Sequence, residues 1–122
     1  MNKISNIAII GLGQIGLYLY NELKFQTRLI QKRTGKTIKI VGISAKNKKK
    51  KRKFKIDNKI FYSDPLKILK EKKIDILFEC IGLSDGISKK VVELALQKKI
   101  NVITPNKALI ACLLYTSDAA DE

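Results

Sequence analysis

Short apolar runs that alternate with amphipathic stretches dominate the pattern of the chain. Four runs rich in Ile and Val have the length of buried strands, at residues 7–10, 37–44, 74–80 and 101–104. Between them, apolar residues recur at helical spacing over 14–30, 65–73 and from 87 onwards. Residues 60–62 are predicted to form one more short extended segment. The order β-α-β-loop-α-β-α-β predicts an α/β fold with a parallel sheet, right-handed crossovers and helices on its faces.

Two of the predicted helices have recognisable starts. The first begins at Gln14, directly after a glycine-rich turn, and carries Ile15, Leu19, Leu23, Leu29 and Ile30 at helical spacing. Another has Pro65 in its first turn, with Ser63 or Asp64 as the cap, which is a typical helix start.

Composition narrows the class of protein. The chain has 122 residues, 45% hydrophobic and 30% charged, as expected for one soluble globular domain. It has no run of 18 apolar residues that could span a membrane, and no recognisable signal peptide.

The absence of histidine excludes His-based triads and His metal sites within this chain. The two cysteines, Cys80 and Cys112, form neither a disulfide framework nor a metal cluster. We therefore expect no metal and a cytoplasmic location.

The charge balance is strongly basic, with 25 Lys and Arg against 11 acids and a net charge of +14. Such an excess raises the possibility of a nucleic acid or an anionic cofactor as partner. Most of it is Lys, and Lys, Ile and Asn together are also what an AT-rich genome encodes. The basic run at residues 48–53 (KKKKRK) is local and is either a solvated loop or a ligand contact.

The last eleven residues, 112–122, differ abruptly from the rest because they contain neither Lys nor Ile. They match the in-frame translation of a transposon adapter used in preparing sequencing libraries. We expect a native domain over residues 1–111, a non-native tail over 112–122, and a natural protein that continues beyond Ala111. The alternative is a divergent C-terminal helix.

Gly11, Gly13 and Gly16 form a G-x-G-x-x-G motif that follows a predicted buried strand and opens a helix. This is the context in which the motif predicts a dinucleotide site. Gly11 permits a tight turn, Gly13 lets backbone N–H groups approach a pyrophosphate, and Gly16 lets the helix pack on the strand. Gln14 and Ile15, in the first turn of the helix, belong to the same candidate site. The alternative is a glycine-rich turn that only packs.

The end of the second strand predicts which dinucleotide binds. An NAD site usually has an acid there, whereas this chain has Ser44 followed by Lys46 and Lys48. No acid occurs between Glu22 and Asp57. A carboxylate would repel a 2′-phosphate and a lysine would attract it, so the sequence favours NADP(H), with NAD(H) as the alternative.

The third strand ends close to where the nicotinamide half would lie. Cys80 and Gly82 are therefore candidate cofactor contacts. Glu79 is either a catalytic carboxylate or a group that holds neighbouring backbone. A nucleophilic Cys80 is not expected, since the chain has no histidine to activate it.

Residues 104–108 (TPNKA), taken with the glycine motif, residues 78–82 (FECIG) and 84–86 (SDG), resemble the N-terminal NAD(P)-binding domain of homoserine dehydrogenase. The resemblance covers residues 7–111 and implies a Rossmann-type doubly wound parallel sheet, here incomplete. It also implies that Thr104 and Lys107 contact the cofactor. Lys107 would lie beside nicotinamide and substrate, which makes it the one catalytic candidate in this chain.

The resemblance further implies an activity for the full-length enzyme: NADPH-dependent reduction of L-aspartate 4-semialdehyde to L-homoserine, in threonine and methionine biosynthesis. The main acid–base residues and the domain that binds substrate and forms a homodimer would lie beyond Ala111, so this chain alone is expected to be inactive. Two alternatives remain: another amino-acid or semialdehyde dehydrogenase, and a basic nucleic-acid-binding module.

Overall fold

The computed structural model describes residues 3–45, 55–81 and 86–104, which build one parallel sheet with helices between its strands. The chain begins with β1 (Lys3–Ile10), α1 (Gln14–Phe25), α2 (Thr27–Thr34) and β2 (Lys36–Ser44). A short 3₁₀ turn (Asn58–Ile60) then leads into β3 (Phe61–Tyr62), α3 (Pro65–Glu71) and β4 (Ile76–Glu79). The described part ends with α4 (Ile87–Gln97) and β5 (Asn101–Ile103).

The five described strands lie in the order β3-β2-β1-β4-β5, and every pair is parallel. The chain runs outward from β1 to β3 and then crosses back to place β4 on the other side of β1. The order therefore reverses between β1 and β4, and ligands bind at the carboxyl ends of the strands at such a point. The predicted α/β fold with a Rossmann-type doubly wound sheet is confirmed.

β1 begins at Lys3, four residues before the predicted run, and its residues 7–10 are buried on both faces, as their unbroken apolar pattern predicts. Ala8 and Ile10 are 0% and 1% exposed and pack with residues of α3 and α4. Ile7 and Ile9 are 2% and 0% exposed and pack on the opposite face, where Tyr20 of α1 covers the sheet. Because successive side chains of a strand alternate between faces, one strand supplies the centre of both hydrophobic cores.

The first helix differs from its prediction, since two helices occupy the stretch predicted as one. At the C-cap of α1, the Gln26 N–H donates to the Glu22 carbonyl at 2.8 Å. The Thr27 hydroxyl then donates to the Leu23 carbonyl at 2.7 Å, competing for the acceptor that the Thr27 N–H would use in a continuous helix. The expected apolar face is also wrong at Ile15 and Leu29, which are 60% and 41% exposed.

The other elements agree with the sequence apart from small shifts at their ends. β4 is shorter than predicted and spans Ile76–Glu79. α3 ends at Glu71, two residues earlier than expected. Of the two candidate caps of α3, Asp64 is the one used, because its Oδ1 accepts a hydrogen bond from the Leu66 N–H at 3.0 Å.

β2 contains an irregularity where it crosses the core. Ile7 pairs with Ile40, whereas the next residue, Ala8, pairs with Gly42, so β2 has one extra residue at this point. A Cβ on Gly42 would lie 2.6 Å from Cγ2 of Ile68, which is fully buried. Gly42 thus lets α3 pack directly on the sheet.

We predict that Gly42→Ala lowers the free energy of unfolding by about 1–3 kcal/mol, because the new methyl group displaces a close-packed Ile68. Urea titration monitored by circular dichroism measures the change. Lys39→Ala, at an exposed position of the same strand, is the control and should stay within about 0.5 kcal/mol. Equal stability of Gly42→Ala and the unmodified chain would contradict the close packing of α3 on β2.

Candidate dinucleotide-binding site

The turn between β1 and α1 lies at the carboxyl edge of the sheet, where the strand order reverses. The Gly11 N–H donates to the Ser44 carbonyl at the end of β2, at 2.7 Å. The Cys80 N–H, just after β4, donates to the Ile10 carbonyl, also at 2.7 Å. The turn is therefore held from both neighbouring strands, which gives a ligand above it a fixed backbone surface.

Gly11 and Gly16 are required by close packing. Gly11 has φ +98°, and a Cβ there would lie 2.8 Å from the carbonyl carbon of Cys80. A Cβ on Gly16 would collide with the Gly11 carbonyl oxygen and would lie 3.3 Å from Cβ of Cys80. These two glycines bring the strand, the turn and the helix into direct backbone contact, as their predicted roles require.

Gly13 has a different environment, because a Cβ there would meet nothing within 4 Å. It is exposed and is the N-cap of α1, where a glycine has no side chain to accept from the first N–H groups of the helix. The first turn of α1 also has no acidic residue. The N–H groups at the start of a helix have no intrahelical acceptor and carry partial positive charge. An open space in front of them fits the pyrophosphate of a dinucleotide.

The side chains of Gln14 and Ile15, in this first turn, are both exposed. Their backbone groups lie at the start of α1, where the predicted pyrophosphate contacts would be made.

The end of β2 contributes backbone to the site. Ser44 is only 3% exposed, and its carbonyl oxygen accepts the hydrogen bond from Gly11 described above. Ser44 thereby anchors the glycine turn. Lys46 and Lys48, the candidate contacts of a 2′-phosphate, lie outside the described residues.

Cys80 lies between the glycine turn and Glu79, and it is half-buried. Burial, and secondarily the negative charge of Glu79, raise the pKa of its thiol from 9.0 to about 11. The thiol therefore stays protonated at neutral pH, so a nucleophilic role is disfavoured, as the missing histidine also suggested. Gly82, two residues further on, lies outside the described residues.

Glu79 accepts hydrogen bonds with both of its carboxylate oxygens. Oε1 accepts from the Ile81 N–H at 2.8 Å, and Oε2 accepts from the Thr104 hydroxyl at 2.6 Å. The residue is 0% exposed. This geometry favours the role of holding neighbouring backbone over that of a catalytic carboxylate. The link from Glu79 to Thr104 was missed by sequence reasoning, because nothing in the spacing of residues 79 and 104 indicates a hydrogen bond.

The predicted site residues thus fall into two groups. Those that the structure describes lie at the carboxyl edge of the sheet: Gly11, Gly13, Gln14, Ile15, Gly16, Ser44, Cys80 and Thr104. The others lie outside the described residues: Lys46, Lys48, Gly82 and Lys107. Within the described ranges, no group of three or more Cys, Asp or Glu is placed to hold a metal ion. No helix in the same ranges is long and apolar enough to cross a membrane.

Comparison with known proteins identifies relatives of this chain. The family model described as the homoserine dehydrogenase NAD-binding domain matches residues 11–119. The homoserine dehydrogenase of Methylobacillus glycogenes is 32% identical over 114 residues, which cover 91% of this chain and 27% of that protein. The one from Neisseria gonorrhoeae is 29% identical over 109 residues, covering 89% and 25% respectively.

A solved structure agrees with these sequence matches. The crystal structure of S. aureus homoserine dehydrogenase at pH 6.0 superposes with a TM-score of 0.83 and 32% identity, covering 98% of this chain and 31% of that one. The chain spans about a quarter of the length of the curated relatives it matches. The match of the family model over most of the chain supports a nicotinamide cofactor and shows that the chain belongs to the family of homoserine dehydrogenase NAD-binding domains.

Proposed function

We propose that this chain is the NADP(H)-binding part of an enzyme that reduces L-aspartate 4-semialdehyde to L-homoserine. The observation that carries the proposal is the open glycine turn at the start of α1, in a chain that belongs to this family. The substrate is the one named by the family resemblance. Assembly as a homodimer and a cytoplasmic location belong to the same proposal.

The residues at the carboxyl edge would bind and orient the cofactor. The N–H groups at the start of α1 would hold the pyrophosphate above Gly13, where the structure leaves space. The ends of β4 and β5 would support the nicotinamide half. When bound, the reduced nicotinamide supplies the hydride for the aldehyde carbon, and a protein acid must supply the proton for the alcohol oxygen. Lys107 would lie beside these reacting groups, and the main acid–base residues would lie in the larger remainder of the enzyme.

The proposed preference for NADP(H) depends on charge at the end of β2. Ser44 occupies the position where an NAD site usually has an acid, and the positive residues Lys46 and Lys48 follow it within four residues. A lysine beside a 2′-phosphate makes a charge-assisted hydrogen bond, roughly twice as strong as a neutral one.

Two other functions remain as alternatives. A related amino-acid or semialdehyde dehydrogenase would share the glycine turn and differ in its substrate domain. Nucleic-acid binding would rest on the basic run at residues 48–53, which lies outside the described residues.

The proposal predicts that Gly13→Val abolishes cofactor binding while the protein still folds. The branched side chain fills the pyrophosphate space, yet it meets no neighbouring atom within 4 Å at its Cβ. Its main cost to folding is the loss of a favourable cap residue, on the order of 1 kcal/mol. NADPH titration by nicotinamide fluorescence and a thermal melt measure the two effects.

Gly13→Ser is the matched control for this experiment, because its hydroxyl can cap α1 while its Cβ still enters the space. We expect it to melt like the unmodified protein and yet bind NADPH more weakly. Unchanged NADPH affinity in folded Gly13→Val would show that this turn is not the phosphate site.

A second prediction concerns cofactor choice. The unmodified protein should bind NADPH more tightly than NADH, and the Lys46→Glu, Lys48→Glu double variant should shift the preference towards NADH. Lys51→Glu with Lys53→Glu makes the same charge change further from the strand end and should shift it less. Raising the salt concentration should reduce the preference, because mobile ions screen exposed charges. Equal affinities for the two cofactors in the unmodified protein would refute this preference.

A third prediction is that the 122-residue chain binds cofactor but does not oxidise homoserine. A hydride acceptor must be held about 3–3.5 Å from the donor carbon, and the chain spans only about a quarter of its relatives. Deleting residues 112–122 should leave NADPH affinity unchanged, because we propose that this tail is not native. Measurable homoserine oxidation, or loss of binding after the deletion, would overturn these assignments.

A further inference from the structure

One buried carboxylate connects three segments at the carboxyl edge of the sheet. Through Oε1, Glu79 holds the Ile81 N–H, and through Oε2 it holds the Thr104 hydroxyl just after β5. The backbone of Cys80 and Ile81 is also the surface on which the glycine turn packs, since a Cβ on Gly11 would lie 2.8–2.9 Å from it. Glu79 therefore links the end of β5 to the glycine turn through the loop that follows β4.

We propose that Glu79 is a positioning residue that sets the distance between the two halves of the dinucleotide site, with Thr104 as its partner. The proposal rests on the proposed function. The glycine turn would hold the pyrophosphate, and the end of β5 would support the nicotinamide half. A cofactor that contacts both the glycine turn and the end of β5 binds tightly only if these two segments are held in one relative position.

The burial of Glu79 indicates that it acts through its neighbours. At 0% exposure its carboxylate is covered by protein, so a bound cofactor would meet Ile81 and Thr104 before it met Glu79. A carboxylate is the side chain suited to this task, because its two oxygens can accept from two different segments at once. A buried carboxylate without hydrogen-bond donors would lower the free energy of unfolding. The two segments that supply the donors, at Ile81 and Thr104, are therefore held in place.

Thr104 is the more informative residue to change, because it is only partly buried and lies at the end of the edge strand of the described sheet. Thr104→Val keeps the shape of the side chain and removes the hydroxyl, whereas Thr104→Ser keeps the hydroxyl. Thr37→Val, in the amino-terminal half of β2, is the matched control for the same chemical change away from the site.

The test compares two ligands on the full 122-residue chain. NADPH spans both halves of the site, whereas adenosine 2′,5′-bisphosphate reaches only the adenosine half. Thr104→Val should weaken NADPH about tenfold, in line with the loss of one hydrogen bond to a charged group, and should leave the bisphosphate within about twofold. Thr104→Ser should restore NADPH affinity, and Thr37→Val should leave both affinities unchanged.

A double-mutant cycle distinguishes positioning from direct contact between Thr104 and the cofactor. If Thr104 acts through Glu79, then Thr104→Val should add little in a Glu79→Met background, because the hydrogen bond is already lost. If Thr104 itself binds the cofactor, the two losses should add. Should Glu79→Met fail to fold, the nearly isosteric Glu79→Gln, which has one carboxylate oxygen fewer, replaces it in the cycle.

Unchanged NADPH affinity in Thr104→Val, an equal loss in Thr104→Ser, or additive losses in the cycle would each overturn the proposal. An equal loss of both ligands in Thr104→Val would indicate general destabilisation and would also overturn it. If the unmodified chain binds neither ligand, the proposed function fails and this proposal fails with it. Tight NADPH binding that is insensitive to Thr104 overturns the positioning role alone.

Discussion

The contact between the glycine turn and the backbone after β4 is the constraint on which the rest of the site depends. Gly11 has a positive φ and packs without a side chain against Cys80 and Ile81. An L-residue with a side chain would cost about 1–2 kcal/mol in this backbone conformation alone, before any collision. Because β1 and β4 meet this closely, the start of α1 is directed over the carboxyl edge at the point where the strand order reverses.

The fold supports this contact by burying β1 on both faces. Ile7 and Ile9 pack towards α1, while Ala8 and Ile10 pack towards α3 and α4. Shifting β1 by one residue would exchange these two sets and disrupt both cores, so the register is strongly specified. A fixed register also fixes the height at which Gly11 leaves the sheet. The two hydrophobic cores thus determine where the glycine turn lies.

Sequence patterns predicted the fold well because their signals are local. The short apolar runs, the G-x-G-x-x-G turn and the Asp64–Pro65 start each depend on neighbouring residues. The break in the first predicted helix was not foreseen, because the apolar spacing continues past Thr27. In the structure the Thr27 hydroxyl bonds the Leu23 carbonyl where α1 ends and α2 begins. The bond between Glu79 and Thr104 joins residues 25 positions apart and was not predictable, because only the sheet order brings β4 and β5 together. Gly42 is a similar case, since its requirement comes from Ile68 on a later helix.

The burial of Glu79 and the raised pKa of the Cys80 thiol suit the carboxyl edge to binding a ligand rather than to transferring protons. Glu79 and Cys80 are two titratable side chains at this edge, Cys80 against the glycine turn and Glu79 bonded to Thr104. The carboxylate of Glu79 is fully buried and accepts from two donors, so it is poorly placed to exchange a proton with a substrate. The pKa of the Cys80 thiol, raised to about 11, lies far from neutral pH, whereas general acid–base catalysis is most efficient when the pKa lies near the operating pH. The described edge is therefore suited to binding and orienting a dinucleotide, and neither of these two side chains is placed to transfer a proton.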